Sequence, residues 1–437
     1  MEHPVTPFSI DRGSLHASLT DTAMESMNLL NQVAERYPKA ISFAAGRPFE
    51  GFYELEQVHE YLRVFCEHLR TGQGLTDREI ARMLYQYGPT KGIINDLIAR
   101  YLAVDERITA EPRSIVVTVG AQEAIYLALR ALRAEQRDAV VAPDPTYVGL
   151  TGAARLAEMP VLGVPVGEDG IDRDELVAVL RRARASGLRI RACYVTPDFA
   201  NPAGLSMTLE SRRQLLEIAE AEQLLLIEDN AYGAFRSSDR RLPTLKSLDR
   251  AGHVVYVGSF AKTGVPGARI GYLVADQEIA VDGVGGAALL ADELAKIKSM
   301  LTVNTPPIAQ AVIGGKLVSN GFSMVAANER ERAAYTRNLQ RALDGLRGRL
   351  GAIPGVSWNQ PDGGFFVVVT VPFPVDDRLL EHAADHHGVL FTPMRHFHST
   401  RAGDHQLRLS ISTLTVDQIE QGLDRLAAVV REAVGAV

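Results

Sequence analysis

Lys262 stands where a purely structural reading of the sequence has little use for a lysine. It follows the apolar run His253-Val-Val-Tyr-Val-Gly258 and precedes a loop holding Gly264, Pro266 and Gly267, with Arg269 just beyond. A lysine amine is a poor nucleophile while protonated; desolvation or a nearby cation lowers its pKa and lets it form an imine with a carbonyl compound. Most lysines are solvated, and a surface lysine at a strand end is the ordinary alternative. Ser259, the Gly/Pro loop and Arg269 argue against that alternative here.

Other residues of unusual chemistry share this placement. Asp229 directly follows "LLLIE". Alone it reads as a turn acid; beside a pyridine-ring cofactor, a buried carboxylate would keep the ring nitrogen protonated and make the ring an electron sink. Gly120-Ala121-Gln122 opens a helical pattern whose first amide groups suit a phosphate, although a tight strand-to-helix turn without ligand looks the same. Asn201-Pro202 in "TPDFANPAG" and Tyr147 in "APDPTYVG" are ambiguous singly, as turn signal and packing residue. Arg408 lies inside the apolar run "LRLSIS". A buried guanidinium is costly unless paired, and its planar fork suits either a carboxylate ligand or an internal salt bridge.

The elements that must position these groups are readable from periodicity. "SIVVTVG", "DAVVAP", "IRACYVTP", "LLLIEDN" and "HVVYVGSF" are short apolar strands, and "AQEAIYLALRAL" and "LESRRQLLEIAEAEQ" between them have helical spacing, the second capped by Thr208. Such alternation predicts an α/β fold with a mostly parallel sheet covered by helices on both faces. Ligands of such sheets bind beyond the carboxyl ends of the strands, which is where Gly120, Pro143 to Tyr147, Asn201, Asp229 and Lys262 fall. The last hundred or so residues differ: "GGFFVVVTV" and "HQLRLSIST" read as strands, and a capping box from Thr415 to Gln418 opens an amphipathic helix. The expectation is a smaller α+β domain from residues 331–437, joined by the segment 1–60, around a large domain spanning 61–330.

Bulk properties exclude several classes. A net charge of −7 with no Lys/Arg-rich block argues against a nucleic-acid partner held by phosphates. No stretch approaches membrane-spanning length, and the start of the chain lacks the basic and apolar regions of a secretory signal, so a cytoplasmic protein is expected. Cys66 and Cys193 are too far apart for metal-like spacing and read as buried small hydrophobes.

The order of the motifs "YGPTKG" (87–92), "GAQEA" (120–124), "PDPTY" (143–147), "NPAG" (201–204), "DNAYG" (229–233), "SFAKTGVPGARIGY" (259–272) and "LRLSIS" (407–412) resembles the fold-type I, class I/II pyridoxal-phosphate aminotransferases. The branch of aminoadipate, kynurenine and broad-range aromatic aminotransferases is most similar. The resemblance implies pyridoxal 5′-phosphate as cofactor and transfer of an amino group between an L-amino acid and a 2-oxo acid. It implies that Lys262 forms the imine with the cofactor aldehyde and then moves the proton. Asp229 would pair with the pyridinium nitrogen, Asn201 and Tyr232 with the phenolic oxygen, and Tyr147 would stack on the ring. Ala121, Gln122, Ser259 and Arg269 would hold the phosphate, with Tyr87 reaching it from the second subunit of a homodimer. Arg408 would clasp the substrate carboxylate, with Gly46 lining the same pocket.

The chain departs from the family pattern at Asn230-Ala231, at Ala261, and in "FTPMRHFHSTRAG" (391–403), where relatives place a Pro-Gly turn. Arg395 there, or Arg47 beside Gly46, is a candidate for receiving a polar or anionic substrate side chain; a solvated loop is the alternative. The same scaffold also supports β- or γ-elimination and replacement, cyclisation or oxidation, so the cofactor is better specified than the reaction. "GVGGAA" (283–288) matches a dinucleotide-binding glycine pattern only superficially, since no buried strand precedes it and no acid follows at the expected position. A transcription regulator would need a basic DNA-binding module, for which the residues before Phe43 are too few.

Overall fold

A computed structural model describes residues 8–20, 33, 35–238, 241–280 and 288–435. The strands in chain order are β1 (Ile41–Ser42), β2 (Ile115–Val119), β3 (Asp138–Asp144), β4 (Val161–Gly167), β5 (Gly170–Ile171), β6 (Arg189–Val195), β7 (Leu225–Asn230), β8 (Val254–Ser259), β9 (Ile270–Val274), β10 (Glu278–Ile279), β11 (Ala288–Leu289), β12 (Ser357–Trp358), β13 (Phe366–Thr370), β14 (Val389–Leu390), β15 (Thr392–Pro393) and β16 (Gln406–Ser410). Eight of them form one sheet in the order β2-β9-β8-β7-β6-β3-β4-β5. The run β8-β7-β6-β3-β4 is parallel, β9 is antiparallel to both its neighbours, and β5 is a short antiparallel edge.

The sheet is apolar on both faces because helices cover both. Val116, Val140, Tyr194, Ile227 and Val255 pack on one side with helices Gly120–Leu132, Val148–Leu156 and Leu290–Leu301. Their chain neighbours Val141, Cys193, Leu226 and Val254 point to the other side, into a cluster with helices Arg173–Ala185 and Leu209–Glu222. This is the period-two alternation of a strand with both faces buried. Thr208 accepts from Ser211 N and so starts the second of these helices. Cys193 is buried as expected, whereas Cys66 is only half-buried.

The second sheet, β12-β13-β16-β15, is antiparallel and shares a core with helices Glu329–Leu350 and Val416–Gly435. The last helix opens on the expected capping box, with Thr415 N on Gln418 Oε1 and Gln418 N on Thr415 Oγ1. β1 pairs in parallel with β14, which carries the segment Ala44 to Arg47 toward the ends of the large-sheet strands. Besides the two-residue strands, two longer ones have no counterpart in the sequence reading, β9 from "RIGYLV" and β4 from "VLGVPVG". Among the described residues no helix is long and apolar enough to cross a membrane. The glycine pattern at 283–288 lies almost wholly outside the described residues.

Candidate active site

Lys262 sits three residues past the end of β8, and its Nζ donates to the carbonyl of Gly46 at 2.8 Å. Its ammonium also lies 5.8 Å from the centre of the Tyr232 ring. Burial, and then the cations of Arg269 and Arg408, push the Lys262 pKa down to about 8. The loop behind it is tied down by Lys316 Nζ and Asn328 Nδ2, which both donate to the Thr263 carbonyl. Asp229, in β7 beside β8, is 5% exposed. Tyr194 OH donates to its Oδ2 at 2.7 Å, while Oδ1 is buried with no partner. Burial drives the carboxyl up to about 6.

Arg408, in β16, closes the site from the second sheet. Its Nη1 donates to Asn201 Oδ1, and its Nη2 donates to the carbonyl of Ala44 and to Thr392 Oγ1. Its guanidinium lies between the rings of Phe366, 4.5 Å away, and Phe397, 4.9 Å away. No carboxylate pairs with it among the described residues, and Nε is buried without a partner. The internal salt bridge considered from the sequence is therefore absent. Desolvation alone lowers its pKa to about 10. A cation held by neutral oxygens and two aromatic faces is preset for an anion it has not yet met.

Opposite this clasp, helix Gly120–Leu132 presents its first amides. Gly120 has φ +75°, and a Cβ there would come within 2.5 Å of Arg269 Nη2, so the guanidinium lies directly over the helix start. Arg269 is exposed and has no carboxylate partner among the described residues. Gly271 lets β9 approach the backbone of Gly120 and Ala121 just as closely. Gln122 Nε2 donates to Gly149 O, and a side chain at Gly149 would overlap the Tyr147 ring, so this glycine fixes where the ring lies. Ser259 Oγ accepts from Ala261 N at the turn into Lys262.

Lys262 thus contacts Gly46 and faces Tyr232, Arg408 holds Asn201, and the Asp229 charge acts on Lys262, with Tyr147, Ala121, Gln122, Ser259 and Arg269 around them. Tyr87 stands apart, 85% exposed. Arg47 is exposed, adds its charge to the field at Lys262, and accepts from Ser412 Oγ through its carbonyl. Arg395 turns instead to Asp404, 3.2 Å away. His396 and His398 are buried against Asp377 and Asp144, whereas Ser399, Thr400, Arg401 and Ala402 are exposed, so only the second part of this stretch is a solvated loop. Asn230, one of the departures from the family pattern, donates to Tyr256 OH and accepts from Gly233 N, which shapes the turn after Asp229.

Sequence reasoning missed Tyr194, Phe366, Phe397 and Gly149. Tyr194 sits in a run that reads only as a strand; its one signal is that it is a polar-tipped residue at the carboxyl end of that strand. Phe366 and Phe397 give no local sign of facing Arg408.

A profile for "Aminotransferase class I and II" matches residues 56–426. The chain is 60% identical over 417 residues to an (S)-3,5-dihydroxyphenylglycine transaminase of Amycolatopsis orientalis, covering 95% of this chain and 94% of that one. It is 31% identical to a 2-aminoadipate transaminase of Thermus thermophilus, with 89% of each covered. Among solved structures, a kynurenine aminotransferase of Pyrococcus horikoshii in complex with PMP superposes with a TM-score of 0.80 at 27% identity, covering 97% of each chain. By this match over most of its length the chain belongs to the class I and II aminotransferases, enzymes that move an amino group between an amino acid and a 2-oxo acid.

Proposed function

We propose that this aminotransferase works with pyridoxal 5′-phosphate bound covalently through Lys262, takes an arylglycine such as a hydroxylated phenylglycine as amino donor, and acts as a homodimer with shared sites. The cofactor reading rests on one observation above the others: two buried polar atoms, Asp229 Oδ1 and Arg408 Nε, have no partner, and a desolvated amine stands near both. Buried polar groups are nearly always satisfied, and exceptions point to a missing ligand. The donor set suits a phosphorylated pyridine. Arg269 and the first amides of helix Gly120–Leu132, with Ala121, Gln122 and Ser259, form a cup for the phosphate.

When bound, pyridoxal phosphate supplies an aldehyde for the amine and a protonated ring that spreads the charge left by loss of the α-proton. Asp229 would hold that ring nitrogen protonated, with Tyr194 keeping its carboxylate oriented. Tyr147 would lie against the ring face, and Asn201 and Tyr232 would donate to its phenolic oxygen. Arg408 takes the α-carboxylate, so that the substrate is anchored at two points and one α-bond is presented to Lys262. Lys262, with its pKa depressed, is neutral often enough near neutral pH to take that proton. Gly46 lines the same pocket, and Arg47, which has no ion pair among the described residues, faces the substrate side chain; Arg395, engaged with Asp404, is the weaker candidate.

The donor reading rests on the 60% identity to the dihydroxyphenylglycine transaminase. The dimer reading rests on apolar exposure: Tyr85, Tyr87 and Met300 are each more than four-fifths exposed, and Gly88 packs beside Asn304 and Pro307, which puts these residues on one surface. Residues 61–330 serve as the cofactor-binding domain, and 1–60 with 331–437 as the smaller domain that brings Arg408 and Gly46 to it. The test is to supply holoenzyme with (S)-3,5-dihydroxyphenylglycine, phenylalanine or 2-aminoadipate, each with a 2-oxo acid, and to identify both products by mass. Fastest turnover of the arylglycine supports the donor reading, and equal or faster turnover of 2-aminoadipate refutes it. Ammonia release without an aminated acceptor would replace transamination with elimination chemistry.

A further inference from the structure

The smaller domain carries a second cluster of chemistry-bearing side chains that the transamination site does not use. Helix Asp377–His382 does not end after His382 but continues as a π-turn over Ala383–His387, closed by the amide of Gly388 on the Ala383 carbonyl. In an ordinary α-helix, residues five apart point about 140° away from each other. The wider π-turn brings His382 and His387 to the same side, and π-turns of this kind recur at functional sites. Both imidazoles face one carboxylate on the last helix: His382 Nε2 lies 3.1 Å from Glu432 Oε1, and His387 Nε2 lies 2.9 Å from Oε2. His386 stacks on His382 with ring centres 4.4 Å apart and bonds through Nδ1 to the His382 carbonyl, which limits the freedom of the first ligand.

We propose that His382, His387 and Glu432 form a binding site for a divalent transition cation, with zinc as its natural probe. Among the described residues this is the group of three His, Cys, Asp or Glu side chains whose ligand atoms all lie within 4.8 Å of one another. Zinc bonds of about 2.1 Å draw ligand atoms to about 3.4 Å in a tetrahedron. The side chains of His382 and Glu432 are 38% and 55% exposed and make that closure by small rotations, while His387, 18% exposed, stays as the fixed ligand. Two imidazoles and one carboxylate select zinc, copper or nickel over magnesium or calcium, and solvent completes the shell. Of the arginines on the same helix, Arg425 is engaged with the Gly388 carbonyl through Nη1 and Arg431 with the Arg349 carbonyl through Nη2.

A cation here ties the π-turn to the last helix. The π-turn leads straight into β14, and Gly388 O also accepts from Ile41 N in the adjoining β1. The cation would therefore stabilise the smaller domain without touching Lys262 or Arg408. The experiment uses untagged holoenzyme stripped with chelator and titrated with zinc chloride in a calorimeter, with the thermal midpoint and transamination rate followed in parallel. The expected result is one equivalent per chain, a rise in midpoint with zinc, and an unchanged rate. His387→Ala and Glu432→Gln should each weaken zinc binding by at least about tenfold and remove the thermal shift. Absence of saturable binding, or binding that both variants retain, would overturn the site.

Discussion

At the scale of single residues, the two perturbed acids and bases make opposite demands on pH. Burial and the cations of Arg269, Arg408 and Arg47 lower the Lys262 amine from 10.5 to about 8, and only its neutral form attacks an aldehyde. The rate at which cofactor-free protein captures pyridoxal phosphate should rise with pH and level off above about 8, read from the absorbance of the bound cofactor; a rate independent of pH between 6 and 9 would contradict the assignment. In Lys262→Ala, borohydride should leave no cofactor on the peptide that carries the label in the parent. Asp229 is raised from 3.8 to about 6 by burial. Below the unfolded value both states hold the proton, and stability is unaffected; between about 4 and 6 only the unfolded chain has lost it, so stability falls across that window and levels off once the folded carboxyl ionises above about 6. At about 1.4 kcal/mol per pH unit the cost is about 3 kcal/mol. Cofactor-free Asp229→Asn should therefore be more stable than the parent at pH 7 by up to about that amount and equal to it near pH 4, while losing most transaminase activity. Urea melts at the two pH values check the first part, and a less stable variant at pH 7 would show that the orphan oxygen is satisfied after all.

At the scale of elements, the loop 196–204 shows how the site is kept in place. It ends β6 and carries Asn201 to Arg408, and it is held by a buried charge cluster: Asp198 accepts from Arg212 and from Arg236, each at 2.8 Å, while Arg236 also lies over the Phe199 ring and contacts Asp362. Arg212 is fully buried, and Asp362 is 57% exposed. Removing the shared acid strands buried cations, so Asp198→Ala should lose about 3 to 5 kcal/mol of stability. Asp362→Ala removes only a half-screened partner and should cost under about 1 kcal/mol. Thermal midpoints of the two variants give the comparison, and equal losses would mean that the cluster does not anchor the loop. This network also marks where sequence reading stops. Lys262, Asp229 and Arg408 are legible because a charged residue at the end of an apolar run is chemically out of place. The partners that set their behaviour, Tyr194 for Asp229 and Phe366 with Phe397 for Arg408, lie 35, 42 and 11 residues away, and only the sheet order brings them together. The strands follow the same logic. β2, β3, β6, β7 and β8 are continuous apolar runs and announce themselves, while β4 is broken by Gly163 and Pro165, and β9 follows a Gly/Pro loop with no helix before it.

At the scale of the whole molecule, the unanswered demand is on Tyr87. It is 85% exposed, as are Tyr85 and Met300 to a similar degree, and among the described residues nothing covers this large aromatic side chain. If it reaches the phosphate cup of a second copy, each site draws Lys262 from one chain and Tyr87 from the other, as isologous two-fold contact allows. That arrangement has a consequence that no single-chain site shares. Lys262→Ala protein should be inactive, and Tyr87→Ala protein should bind cofactor more weakly and turn over slowly. Unfolded together and refolded at equal amounts, half of the dimers are mixed, and each mixed dimer has one site built from two intact contributions. Roughly a quarter of all sites are then of parental type. Activity of the mixture should rise well above the mean of the two variants, toward about a quarter of the parent, with the gain growing as the chains exchange. Activity equal to the mean would place Tyr87 outside the partner's site, whatever the oligomeric state. A gain at limiting cofactor that vanishes at saturating cofactor would locate the contribution of Tyr87 in cofactor affinity, the effect that a phosphate contact from a neighbouring chain should have.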